Sequence, residues 1–138
     1  MEAKLNSFES ASTPVQGVMR RVLLVNSQPR LLQLMKSTLD RNGYEVDTAL
    51  SAGVAARLFL EQRHEVIVLD DSSTPDQAAP LCDLLSGLSE DQRPLTLLVS
   101  MDGSPRLDLT DEFEYERLEQ PMSLRYLVAR LAGHFGCY

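Results

Sequence analysis

Short runs of apolar residues alternate with amphipathic helical stretches from Arg21 onward, and few architectures accommodate that alternation. Arg21 to Val25 reads as a buried strand. Val66-Ile67-Val68-Leu69 is apolar throughout and ends at Asp70-Asp71, and a further apolar run follows Pro94. Strands with no polar alternation are covered on both faces, as in the centre of a parallel sheet. Strands separated by helices of 10 to 15 residues build such sheets.

The helices are read from their periodicity. Pro29 opens the first, and Leu31, Leu32, Met35, Thr38 and Leu39 form its inward stripe, with Asn42-Gly43 as the stop. Tyr44 to Ala49 is a partly polar second strand, suited to a sheet edge. Ser51 caps a second helix with Val54, Ala55, Leu58 and Phe59 on one face. After the third strand, Glu65 to Asp70, Ser72 to Pro75 is a loop and a third helix is expected from about Gln77 to Gly87, with Pro80 near its start. The fourth strand is expected over Leu95 to Ser100. Arg106 to Tyr115 is acidic and weakly periodic, allowing only a short or irregular fourth helix. Tyr115 to Glu119 is a charged fifth strand, and Ser123 caps a final helix with Leu124, Leu127, Val128, Leu131 and Phe135 at helical spacing. These elements predict a doubly wound, five-stranded parallel sheet of flavodoxin-like order 2-1-3-4-5, with helices on both faces. Residues 1–19 are polar and small and read as a flexible arm before one domain over 20–138.

Composition narrows the function classes. The chain has 138 residues, 43% hydrophobic and 24% charged, enough for one real core. Its net charge of −7 and lack of a basic cluster argue against direct nucleic-acid binding. No apolar run reaches the ~20 residues of a membrane span, and Met1 to Met19 lacks the hydrophobic stretch of a secretory signal. Cys82 and Cys137 belong to no metal-spaced set and read as a buried thiol and a tail thiol, so a reducing, cytoplasmic setting is expected. His64 and His134 have no metal-spaced partners; His64 reads as a residue at the start of a strand and His134 as a helix-end cation. Phosphate-loop, GxSxG and HExxH motifs are missing, so an enzyme is not expected.

In a doubly wound sheet the site lies beyond the carboxyl ends of the strands, where the strand order reverses. That places Asn26, Ser27 and Asp70 at one crevice. The stretches Arg-Val-Leu-Leu-Val-Asn-Ser-Gln-Pro, Asn-Gly-Tyr-Glu-Val, His-Glu-Val-Ile-Val-Leu-Asp and Gln-Pro-Met-Ser-Leu stand in that frame, in order. Together they resemble the receiver domain of bacterial two-component response regulators, over residues 21 to 135. The resemblance implies an acidic pair after strand one, a phosphoacceptor aspartate after strand three, a Thr or Ser after strand four, an aromatic switch residue, and a Lys-Pro after strand five. At those positions this chain has Asn26 and Ser27, then Asp70, Val99, Arg117 and Gln120. Ser100 would supply the hydroxyl only with a one-residue slip. Strand register favours Asp70 as acceptor, whereas the usual four-residue step to proline, counted back from Pro75, favours Asp71; register is the firmer guide.

The family's two strand-one acids and acceptor hold Mg²⁺, an ion that takes carboxylate and water oxygens. An amide and a hydroxyl remove that charge, and Gln120 cannot neutralise a phosphoryl group as lysine does. The expectation is a degenerate, pseudo-receiver module with no cofactor, acting in two-component phosphorelay signal transduction by phosphorylation-independent protein contacts. Its partner would be a histidine kinase, an output domain or another regulator, and a homodimer could use the face of the fourth helix, fifth strand and fifth helix. The alternative is a working phosphoacceptor at Asp70 or Asp71 with a non-standard Mg²⁺ site.

Overall fold

The computed structural model describes residues 20–70, 74–100, 114–118 and 123–136. Five strands form one parallel sheet: β1 (Arg21–Val25), β2 (Glu45–Ala49), β3 (Val66–Asp70), β4 (Leu95–Val99) and β5 (Glu116–Arg117). Their order is β2-β1-β3-β4-β5, the expected one. The helices are α1 (Pro29–Arg41), α2 (Ala52–Gln62), α3 (Pro75–Ser86) and α4 (Leu124–Phe135), with a 3-10 turn at Glu90–Gln92. The segments assigned from sequence to the arm and to most of the irregular fourth helix lie outside the described residues, so the final helix is α4 here.

Strand alternation divides the core in two. Leu23, Ile67, Leu69 and Leu98 face α2 and α3, where they meet Ala55, Phe59, Leu81 and Leu85. Val22, Leu24, Val66, Val68, Leu97 and Val99 face α1 and α4, where they meet Leu32, Met35, Leu39, Leu127 and Leu131. All five residues of β3 are buried, as a central parallel strand requires. Cys82 is buried in the first of these clusters.

Local chemistry sets the helix ends. Asn42 and Gly43 close α1, with Gly43 at φ +89°, a left-handed conformation that glycine reaches without steric cost. Ser51 Oγ accepts the Val54 N–H at the start of α2. Helix α3 begins two residues earlier than its periodicity suggests. Pro75 takes the first helical position, and Thr74 with Gln77 forms a reciprocal capping box: Thr74 Oγ1 accepts from Gln77 N–H and Gln77 Oε1 from Thr74 N–H. Pro80 therefore sits inside the helix rather than at its start. Both Pro80 and Asp76 are exposed, so water can serve the Asp76 carbonyl that the proline leaves without an N–H.

The final helix is anchored by packing. Leu127 and Leu131 are 0% exposed, and the Phe135 ring lies 5.4 Å from Tyr44 at the start of β2. Truncating Leu127 to alanine leaves a cavity against the sheet, and losses of ~2–5 kcal/mol are typical of such sites. Leu127→Ala should lower the urea midpoint accordingly; an unchanged midpoint contradicts this packing.

Candidate functional site

Residues at the carboxyl ends of β1 and β3 face each other because the two strands are neighbours in register. Val25 pairs with Leu69, so the next residues along, Asn26 and Asp70, stand side by side at the sheet edge. Both are buried, at 4% and 7% exposure. The structure thus brings together the two positions that sequence placed in one crevice. Ser27 stands beside them, exposed.

Asn26 is held by its backbone and by half of its amide. Its N–H donates to the Ala49 carbonyl at 3.0 Å, linking the end of β1 to the end of β2. Its Oδ1 accepts the Gln28 N–H at 2.8 Å, an Asx-type turn that leads the chain into α1. That bond fixes the amide orientation, because only the oxygen can accept from a backbone N–H. Among the described residues Nδ2 has no acceptor.

The β3–β4 ladder pairs Asp70 with Val99. Val99 is 1% exposed and its side chain belongs to the cluster under α1 and α4, so it offers only methyl groups. Ser100, one residue beyond the strand, is also buried. Arg117 lies on β5 opposite Leu98 and is exposed, so it does not fill an inward aromatic position; Leu118 beside it is the buried residue. Asp71, Gln120 and Pro121 lie outside the described residues.

The donor set can be tested against Mg²⁺. Among the described residues the crevice offers one carboxylate, at Asp70, and one amide oxygen already accepting from Gln28. Mg²⁺ is bound chiefly through carboxylates and retained waters in strict octahedral geometry. One carboxylate, all that the described residues bring to the crevice, falls short of that set.

Next to Asn26 a cleft of about 320 Å³ opens between the β1–α1 turn, the start of α2 and the start of α3. Asn26, Ser27, Leu50, Ser51, Ala52 and Gln77 face it. None of these carries a charge. Sequence reasoning singled out only the first two. Gln77 could have been found through the Thr74-x-x-Gln77 spacing of a capping box, whereas Leu50 and Ser51 join only once β2 is laid beside β1.

Side-chain contacts away from the crevice also hold the fold. His64 is buried and its Nε2 is 2.7 Å from Asp47 Oδ2, while Nδ1 is buried without a partner among the described residues. It is a core histidine rather than a simple strand-start residue. Arg130 on α4 grips Glu116 on β5 with two bonds, 2.7 and 2.6 Å, tying the last helix to the edge strand. His134, expected as a helix-end cation, is instead pushed toward its neutral form by burial and then by the nearby Arg130 charge, with Glu65 opposing.

With this geometry in view, the chain compares as follows. No family model matches it. Among curated proteins, the transcriptional regulatory protein KdpE of Mycobacterium tuberculosis is 27% identical over 115 residues, covering 82% of this chain and 50% of KdpE. The chain thus spans about half the length of the curated relatives it matches. The chemotaxis protein CheY4 of Vibrio cholerae superposes with a TM-score of 0.66 at 22% identity, over 84% of this chain and 98% of that one. The Francisella response regulator 1452 receiver domain gives 0.67 at 19%, over 84% and 96%. A CheY-like receiver domain from Methylobacillus flagellatus gives 0.66 at 17%, over 84% and 98%. The chain therefore has the fold of response-regulator receiver domains.

The Glu116–Arg130 pair generates a pH prediction. The Arg130 hydrogen bonds hold the Glu116 carboxyl below its ordinary value, with burial opposing and the Arg130 charge assisting. A carboxyl depressed in the folded state adds stability above its unfolded value and loses it as pH falls through the folded one. The side chains are 26% and 40% exposed, so solvent screening keeps the contribution on the order of 0.2–1 kcal/mol. Glu116→Gln should lower the thermal midpoint slightly at pH 7, and the gap to wild type should close as the pH drops below the ordinary glutamate value of 4.5. A gap that widens on acidification contradicts the assignment.

Proposed function

We propose that the chain is a receiver-type regulatory module of two-component signal transduction that works by protein contact, without Mg²⁺-dependent phosphorylation of its own aspartate. The observation that carries this reading is the state of Asn26. It occupies the place of a metal-binding acid, is neutral, and has its carbonyl engaged by Gln28. Val99, opposite Asp70, supports the same reading, because an aliphatic side chain cannot hold a phosphoryl oxygen. The pseudo-receiver assignment, the non-enzymatic role and a cytoplasmic setting belong to this proposal. No helix among the described residues is long and apolar enough to cross a membrane, in keeping with a soluble signalling role.

The partner in this reading is a histidine kinase, an output domain or another regulator. Similarity to KdpE, a transcriptional regulatory protein about twice the length of the matched region, favours an output domain as the receiver of the signal. The face built from β5 and α4, joined by the Glu116–Arg130 pair, is the proposed contact and the candidate homodimer surface. One feature supports the second reading, a working phosphoacceptor: Asp70 is kept, buried, at the carboxyl end of β3 beside Asn26.

Two measurements separate the readings. In a Mg²⁺ titration followed by amide chemical shifts, Asn26, Ser27 and Asp70 should show no saturating response; saturation at ~1–5 mM metal, within the weak range of oxygen-ligand sites, contradicts the proposal. The double substitution Asp70→Asn with Asp71→Asn, which covers both registers, should leave partner binding or dimerisation intact. Acetyl phosphate should give no acyl-phosphate in the intact mass. A mass increase lost in the double variant together with partner binding establishes the second reading instead.

A further inference from the structure

We infer that Asn42–Gly43, at the junction of α1 and β2, is a self-modifying site. The Asn42 side-chain amide is lost by attack of the Gly43 nitrogen, with water as the co-reactant, and the folded end of α1 holds the reaction back.

The chemistry starts from residue types. The chain's three asparagines are Asn6, Asn26 and Asn42, and only Asn42 precedes a glycine; the other two precede serine. A backbone nitrogen attacks the preceding side-chain Cγ most freely when its own residue has no Cβ to crowd it or restrict its backbone. The Gly43 nitrogen gives its proton to hydroxide and bonds to Asn42 Cγ. The Cγ–Nδ2 bond breaks, and Nδ2 leaves as ammonia. Water then opens the five-membered imide at either carbonyl. One opening gives aspartate at position 42, and the other gives isoaspartate, whose main chain runs through Cβ and Cγ. In the balance one water is consumed and one ammonia released, with nothing oxidised or reduced.

The fold exposes this pair and restrains it. Asn42 and Gly43 are both exposed, so water and hydroxide reach them. The groups that must move are held by hydrogen bonds. The Gly43 N–H donates to the Asp40 carbonyl at 3.1 Å, and Asn42 Nδ2 donates to the Thr38 carbonyl at 2.7 Å. At ψ 11° for Asn42, the Gly43 nitrogen nearly eclipses the Asn42 nitrogen, whereas ring closure needs it to eclipse Cβ. That rotation breaks the Gly43 bond and carries Tyr44 with it. Tyr44 is buried, its N–H donates to the Leu39 carbonyl at 3.2 Å, and its ring meets Phe135 of α4. The end of α1 must therefore open before the reaction proceeds. The product in turn disturbs this junction. A carboxylate at position 42 loses the bond to Thr38 and stands at the negative end of the α1 dipole. Isoaspartate lengthens the main chain just before Tyr44 and before Glu45, whose N–H donates to the Arg20 carbonyl at 2.9 Å.

The test incubates the full chain at mildly alkaline pH, with and without urea, and follows each asparagine by peptide mass and by isoaspartate-specific methyl labelling. In urea, Asn42 should convert fastest of the three. In buffer alone its rate should fall about tenfold or more, because only the open fraction of a turn held by two hydrogen bonds can react. Asn42→Asp reproduces the aspartate product at an exposed position. It should lower the thermal midpoint by about 2–5 °C, the scale of one exposed hydrogen bond lost and one charge set against a helix dipole. Conversion of Asn6 or Asn26 ahead of Asn42 in urea overturns the site. Equal rates at Asn42 with and without urea overturn the restraint by α1, and an unchanged midpoint in Asn42→Asp overturns the cost assigned to the product.

Discussion

Everything in this molecule depends on the burial of β1 and β3 on both faces. Val22 to Val25 and Val66 to Leu69 are almost wholly shielded from solvent, which requires one helical layer above the sheet and another below. Parallel strands need crossovers, and the crossovers here are the helices that provide those layers. The same pairing aligns the strand ends. Because Val25 is registered with Leu69, Asn26 and Asp70 must meet at the edge, whatever chemistry they carry.

That meeting point pairs an acid with an amide. Among the described residues it holds one carboxylate, Asp70, beside the neutral Asn26, whose amide oxygen accepts the Gln28 N–H on the turn into α1. Asn26 serves the fold directly, joining β1, β2 and α1 through two backbone partners, Ala49 and Gln28.

Helix-start and turn chemistry lines the crevice. Ser51, Thr74 and Gln77 are capping residues, chosen by the demands of helix starts. Each uses a side-chain oxygen to accept a backbone N–H at a helix start. Two helix starts and the β1–α1 turn thus surround one cleft. The opposite edge of the sheet is organised by a different force, the two-bond grip of Arg130 on Glu116, which fastens a two-residue strand to the last helix.

Much of this was legible in the sequence. The periods of the apolar residues, with the caps beside them, defined β1, β3, β4, α1 and α4 nearly to the residue and the start of α2, because a strand buried on both faces and a helix buried on one leave different spacings. The topology rule for such sheets then placed Asn26 near Asp70. The start of α3 was shifted because the capping box between Thr74 and Gln77, a local signal, outweighs the apolar stripe that begins later. The pairs His64–Asp47 and Glu116–Arg130 left no trace, since their partners are 17 and 14 residues apart and no local period links them. By itself the sequence determined the strand–helix alternation and the neutral chemistry at Asn26 and Val99, because both are properties of residue type and order. Only the tertiary structure decided which residues those positions stand beside, because the ends of β1, β2 and β3 meet only when the sheet is assembled.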